Sequence, residues 1–255
     1  MSAPGARISR FDRVERAVHW CNATLFLVLI ATGASLYLPQ LSEKVAHRHT
    51  VKTIHVYAGL ALPIPLLLGL VLPAGRRLRA DIGRFNRWTD DDRRWWSRRT
   101  RSEAQLGKFN PGQKANAIFV GAAIVLMLMT GSIMRWFEPF PDSWRTGATF
   151  VHDWVFISLV FVVAGHIMFA LADGDSLRSM VRGWVPEAWA RRERPRWWAE
   201  VVAARAGVTD SAGAGRDVEA RVQERRREAS VRAGEVSLGD GVHGRAADGF
   251  TEREL

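Results

Sequence analysis

Four histidines, His19, His55, His152 and His166, lie in or at the edge of long apolar stretches of the chain. An ionisable side chain at membrane depth is rare and costly, so each one needs a reason to be there. Neutral imidazole is the commonest protein metal ligand and a common axial ligand of haem iron. Four such rings make two pairs, and two pairs suffice to hold two b-type haems. The blander reading of any one of them is a polar contact between helices. His152 and His166 argue against coincidence, because they stand fourteen residues apart in one apolar segment. As a helix that spacing rises roughly 21 Å and turns nearly four whole times, so both rings leave the same face at different depths.

The elements that must position these rings are four apolar runs. They cover roughly residues 18–38, 51–72, 115–134 and 150–172. Each is about 20 residues long, enough at 1.5 Å per residue for the roughly 30 Å hydrocarbon core. The first run ends at Pro39 and the second at Pro73, and Pro63 and Pro65 predict a kink inside the second. The expected fold is therefore all-α, an integral membrane four-helix bundle occupying residues 1–186. Residues 187–255 form the expected C-terminal tail. It is read as interfacial to about residue 200, where Trp189, Trp197 and Trp198 fall, and as disordered beyond, where Gly, Ala, Arg, Glu and Asp dominate. His243 lies in that part and is given no role.

Charge placement orients the runs. Arg7, Arg10, Arg13 and Arg16 precede the first run, the loop from Arg76 to Lys114 is dense in arginine, and the tail is again Arg-rich. The loops at 39–50 and 135–149 carry few basic residues. The positive-inside rule then puts both termini and the middle loop in the cytoplasm and the protein in a plasma (bacterial inner) membrane. Asp12 and Glu15 interrupt the basic N-terminal arm and no cleavage site follows the first run, so that run is read as a retained span. With this orientation His55 and His152 both fall near the outer side, and His19 and His166 near the inner side. The depths pair themselves: His55 with His152, His19 with His166. His47 and His49, in a short outer loop, are the fallback ligands should the second helix begin earlier.

Composition excludes other chemistries. The net charge is +10 and the chain has 11 Trp and 12 Phe but 2 Tyr, with many tryptophans beside charges, as in an aromatic belt. Trp88, Trp95 and Trp96 in the basic middle loop suit interfacial anchoring and anionic lipid; no nucleic-acid partner is expected. A single cysteine, Cys21, excludes a disulfide framework, a four-cysteine zinc site and covalent CxxCH haem attachment; it is read as packing. Gly59 follows His55 by one helical turn, where a porphyrin plane would need room. Gly33 and Gly131 are each preceded by a threonine. Close helix packing through small residues accounts for these glycines equally well. Arg10, Arg13 and Arg16 could pair with haem propionates or serve as topology charges.

Several stretches together resemble a known family. They are Phe11-Asp12-Arg13 to His19-Trp20, Ile54-His55 to Gly59, Lys108-Phe109-Asn110-Pro111-Gly112-Gln113-Lys114, the His152 to His166 segment, and Pro195-Arg196-Trp197-Trp198. Over roughly residues 8–200 the chain resembles the gamma subunits of respiratory formate dehydrogenases, four-helix cytochromes of the b556 type. These belong to a wider group of di-haem cytochrome b subunits that also serves nickel–iron hydrogenases and thiosulfate reductases. The resemblance implies two haems b on the four histidines and a quinone pocket beside the inner one, formed by Asn110, Gly112, Gln113 and His166. Read by itself, Asn-Pro-Gly is turn chemistry and an N-cap before the third run; the resemblance adds the quinone role.

The resemblance further implies partners: an iron–sulfur subunit and a catalytic molybdenum or tungsten dehydrogenase subunit, with quinone as electron acceptor. With one cysteine this chain holds no iron–sulfur cluster and no formate-oxidising site of its own. The expected function is to pass electrons from the iron–sulfur partner through the two haems to quinone. The alternatives are the cytochrome b subunit of a nickel–iron hydrogenase or another molybdoenzyme, or a haem-free membrane anchor.

Overall fold

In the computed structural model the described residues are 6–43 and 47–207. The chain divides into two units, residues 1–199 and 200–255, and in the second unit the described residues, 200–207, are helical. The expectation of disorder beyond about residue 200 meets helix at 200–207, and the rest of that stretch, His243 with it, lies outside the described residues.

The first unit opens with a short strand, β1 (Arg7–Ser9), and the long helix α1 (Arg13–Tyr37). Asp12 caps α1 by accepting from the Glu15 backbone N–H at 2.8 Å. The Glu15 carboxylate accepts from the Asp12 N–H at 2.6 Å, completing a capping box. A single turn, α2 (Pro39–Ser42), leads on to α3 (Arg48–Ala61) and α4 (Ile64–Val71). These two are one membrane-length span, Arg48–Val71, interrupted at Leu62 and Pro63. Proline supplies no N–H and its ring crowds the preceding turn, so the ladder breaks where Pro63 and Pro65 stand.

Two short helices, α5 (Arg76–Phe85) and α6 (Asp90–Trp96), fill the basic connection before α7 (Pro111–Arg135). The helix α8 (Asp142–Ala172) follows, then α9 (Gly174–Arg182), the strand β2 (Trp184–Pro186) and α10 (Glu187–Glu193). Residues 195–199 are again helical.

Among the described residues four spans are long and apolar enough to cross a membrane: Arg13–Tyr37, Arg48–Val71, Pro111–Arg135 and Asp142–Ala172. The first begins at Arg13 rather than near residue 18, because the Asp12 cap sets its start. The fourth begins at Asp142 rather than near residue 150, and its 31 residues exceed what the hydrocarbon core requires. Around the bundle α1 packs chiefly on α3 and α7 on α8, with α3–α7 and α1–α8 contacts closing the ring. Outward faces carry bare apolar side chains, among them Leu27, Tyr57, Val125, Phe161 and Phe169. Such a surface suits lipid rather than water. Cys21 is exposed on α1 rather than packed inside.

Instead of a hydrocarbon core, the tightest packing lies at one end of the bundle. There β1 pairs antiparallel with β2, matching Arg7 with Pro186, Ile8 with Val185 and Ser9 with Trp184. Ile8, Val185, Trp189, Ala190 and Trp197 are all buried in this cap. Gly183 makes the turn possible: its φ is 87°, and a Cβ there would lie 2.7 Å from the Phe11 carbonyl oxygen. Its own carbonyl accepts from Arg10 N–H at 2.8 Å and Phe11 N–H at 3.1 Å. The N-terminal arm is thereby tied to the segment after α8, and Trp189 and Trp197 pack inside the cap.

Candidate functional site

The four histidines come from three places in the bundle and meet in two pairs. His19, one and a half turns into α1, faces His166 of α8, with ring centres 6.2 Å apart and planes at 58°. His55 of α3 faces His152 of α8, with ring centres 6.4 Å apart and planes at 66°. Helix α8 thus contributes one ring to each pair, toward opposite ends of the bundle. His19, His55 and His152 are half-buried and His166 is exposed. His47 and His49 are exposed at the start of α3.

The spacing can be tested against a bound metal. Imidazole nitrogens bind metals at about 2.0–2.1 Å, and two rings on opposite sides of one ion then have centres about 6 Å apart. Both observed pairs meet that separation. Among the described residues no group of three or more His, Cys, Asp and Glu gathers to hold an ion. A pair without further protein ligands suits a metal that brings its own equatorial ligands, as haem iron does.

Local structure fixes the rings of one pair. The Thr32 hydroxyl lies 2.9 Å from His55 Nδ1, and the Thr130 hydroxyl 2.9 Å from His152 Nδ1. The glycine after each threonine gives the ring room. A Cβ on Gly33 would stand 3.4 Å from His55 Cε1, and one on Gly131 would stand 3.4 Å from His152 Cε1. At Gly59 a Cβ would meet only Leu29, at 3.8 Å, which is ordinary contact.

Asn110 and Gln113 form the N-terminus of α7. Asn110 Oδ1 accepts from the Gln113 N–H at 2.8 Å, and Gln113 Oε1 accepts from the Asn110 N–H at 3.1 Å. The turn-and-cap reading of this motif is therefore realised in full. Both amide oxygens are committed, whereas neither amide nitrogen donates to another described residue, so each keeps a donor for an incoming carbonyl. Gly112 lies under Trp95 of α6, where a Cβ would come within 3.3 Å of the indole.

Sequence reasoning missed the buried charges beneath this motif. Lys108 is 4% exposed, and its ammonium bridges Glu15, at 3.0 Å, and Asp81. Arg84 adds a second cation to Asp81 at 2.7 Å. Burial works to raise the Asp81 carboxyl. Its hydrogen bond with Glu15, the Lys108 ammonium and Arg84 outweigh that, and hold it below the usual carboxylate range. Six residues on, Lys114 donates to Asp92 at 2.7 Å and to the Arg87 carbonyl at 2.7 Å. Arg10, fully buried, donates to Ser176 (2.9 Å), Ser179 (3.3 Å) and the Lys108 carbonyl (3.2 Å), and its guanidinium lies 4.9 Å from the Trp189 ring centre. Burial, aided by the Arg194 charge, pulls the Arg10 guanidinium down to about 9, so it stays charged at neutral pH. Arg16 donates to the Val181 carbonyl at 2.5 Å. These arginines hold the cap together. The available signal was that Lys108 and Lys114 flank one turn motif, with Asp81 and Asp92 the carboxylates that could answer them.

A multi-pass membrane bundle whose helices present histidines in facing pairs is the architecture of a membrane cytochrome. The sequence profile described as prokaryotic cytochrome b561 matches residues 10–183, and the chain belongs to that family. A cytochrome b family implies haem b, and the paired imidazoles fit it. Among characterised proteins the chain is 25% identical over 208 residues to the formate dehydrogenase cytochrome b556(fdo) subunit of Escherichia coli K12, covering 76% of this chain and 93% of the relative. It is 27% identical over 205 residues to the formate dehydrogenase cytochrome b556 subunit of Haemophilus influenzae, covering 77% and 84%. It is also 24% identical over 207 residues to the nitrate-inducible cytochrome b556(Fdn) subunit of formate dehydrogenase from Escherichia coli K12, covering 78% and 94%.

Proposed function

We propose that this chain is the membrane cytochrome b subunit of a respiratory formate dehydrogenase, taking electrons from an iron–sulfur partner and delivering them to quinone. The observation that carries the reading is the pair of histidine contacts, 6.2 Å and 6.4 Å between ring centres, joined through one helix. The names of relatives matching over most of their length support the choice of formate dehydrogenase. In this reading His55 and His152 hold one haem b, His19 and His166 the other, and the haems supply one-electron transfer between the two ends of the bundle.

The chain's own residues do the rest. Asn110 and Gln113 offer amide N–H donors to a quinone carbonyl. Gly112 lets the α7 N-terminus approach Trp95 closely, and the positive end of the helix dipole favours charge developing on the quinone oxygen. His166 borders the same pocket. Gly59 packs against the His55/His152 haem. The catalytic molybdenum or tungsten subunit and the iron–sulfur subunit dock at the His55/His152 end. The functional domain is residues 1–186 together with the cap that Trp189, Ala190 and Trp197 complete, in a bacterial inner membrane with both termini cytoplasmic, and the remainder of 187–255 forms its tail.

The deciding measurement is a reduced-minus-oxidised spectrum of the purified protein with pyridine haemochrome quantification. Two haems b per chain are expected. A well-folded preparation without a Soret band leaves only a membrane anchor and sinks the reading.

A further inference from the structure

The two histidine pairs differ in what stands behind the rings. A threonine hydroxyl has one proton to give. Thr32 spends it on the Val28 carbonyl, at 2.7 Å, and Thr130 on the Leu126 carbonyl, at 2.8 Å. Each hydroxyl oxygen also lies 2.9 Å from an imidazole Nδ1. With its proton already used, the oxygen must accept there, so Nδ1 of His55 and of His152 carries the hydrogen. The lone pair of each ring is then on Nε2, the nitrogen free to bind a metal. The arrangement recurs on two different helices, α1 and α7, each time with glycine after the threonine and the ring's Cε1 3.4 Å from where that glycine's Cβ would be. Among the described residues neither His19 nor His166 makes a hydrogen bond of this kind.

We propose that Thr32 and Thr130 are positioning residues that fix the tautomer and orientation of His55 and His152 and set the potential of the haem these two hold. The inference rests on the two-haem reading. A hydrogen bond accepted from Nδ1–H raises the basicity of the ligating Nε2. A more basic ligand stabilises ferric over ferrous iron, which lowers the midpoint potential. Because the His19/His166 pair lacks such partners, the effect acts on one haem of the two. It biases electrons away from the His55/His152 end and toward the His19/His166 end, the direction in which quinone would receive them.

The test is a redox titration of the purified full chain, with both haems followed optically and by low-temperature EPR, in Thr32→Val, Thr130→Val, Thr32→Ser and Thr130→Ser. Each valine variant keeps the side-chain shape and removes the acceptor. The haem that moves is identified as the one missing from His152→Ala. Each valine is expected to raise that haem's midpoint potential, by about 59 mV if the oxidised-to-reduced ratio at a fixed potential changes tenfold. The other haem stays put, and each serine restores the wild-type value. Loss of that one haem in a valine variant, with retention in the matching serine variant, also supports the role. Full occupancy with both potentials unmoved overturns it. So do equal movement of both haems and haem loss in the serine variants. A wild-type protein that holds no haem would defeat the two-haem reading itself, an outcome distinct from unmoved potentials.

Discussion

Lys108 and Glu15, 93 residues apart in the chain, meet in a buried ion pair at 3.0 Å, and the same ammonium reaches Asp81. Three elements converge on it: the start of α1, the helix α5, and the turn before α7. The contact therefore fixes the α7 N-terminus, where Asn110 and Gln113 sit, relative to the helix that carries His19. Two acids on one lysine also mean that removing the lysine leaves both without it, whereas removing either acid leaves the lysine a partner.

Lys108→Met should accordingly be among the most damaging single changes at this end. Breaking a buried ion pair by deleting one partner costs about 3–5 kcal/mol, because the charge left behind is uncompensated. Adding Glu15→Gln and Asp81→Asn to Lys108→Met removes the stranded charges and should recover most of the loss. Thermal unfolding in detergent measures both. A triple variant no more stable than Lys108→Met would show that the damage comes from lost packing against Phe11 and Phe109, which the lysine also touches.

The Asp81 carboxyl gives this cluster a pH signature. Its folded pKa lies below the usual range, against about 3.9 when unfolded. Its contribution is thus complete above about pH 4 and is lost as pH falls through the depressed folded value. Wild-type protein should lose stability more steeply than Asp81→Asn as pH drops below about 4. Parallel stability profiles for the two proteins over that range would rule this out.

Much of this arrangement was legible beforehand, for a physical reason. Membrane helices announce themselves by length and apolar content, and a 3.6-residue turn converts the spacing of His152 and His166 into a shared face. That reasoning placed the four spans, and the rings it set at like depth lie 6.2 Å and 6.4 Å apart. Polar partners across the bundle were not legible, because Lys108 and Glu15 carry no local periodicity that links them. The Thr32-Gly33 and Thr130-Gly131 pairs were visible as small residues, but only the folded helices show which ring each hydroxyl meets. The cap was hidden too. Its strands are three residues each, and β1 sits among arginines that read as topology charges.

Helix α8 provides one ring to each pair, so in the proposed two-haem reading substitutions along it should separate the haems. His152→Ala should remove chiefly the haem shared with His55, and His166→Ala chiefly the one shared with His19. Haem per chain should fall from two toward one in each variant, and EPR should show a different signal lost in each. If either variant retains both haems at full occupancy, the pairing is wrong.

Gly183 offers a test of the cap independent of any cofactor. Its φ of 87° is left-handed, which costs an L-residue roughly 1–2 kcal/mol, and a Cβ would also press on the Phe11 carbonyl oxygen at 2.7 Å. That carbonyl belongs to backbone already tied to Gly183 by the Arg10 and Phe11 N–H groups, so it has little freedom to yield. Gly183→Ala should therefore loosen the β1–β2 pairing and expose the amides of Ile8 and Val185 to hydrogen exchange. The His55/His152 pair, held by threonines on α1 and α7, should keep its haem unchanged. Exchange protection as strong as wild type would mean that the turn tolerates a side chain, and that the cap does not depend on glycine at this position.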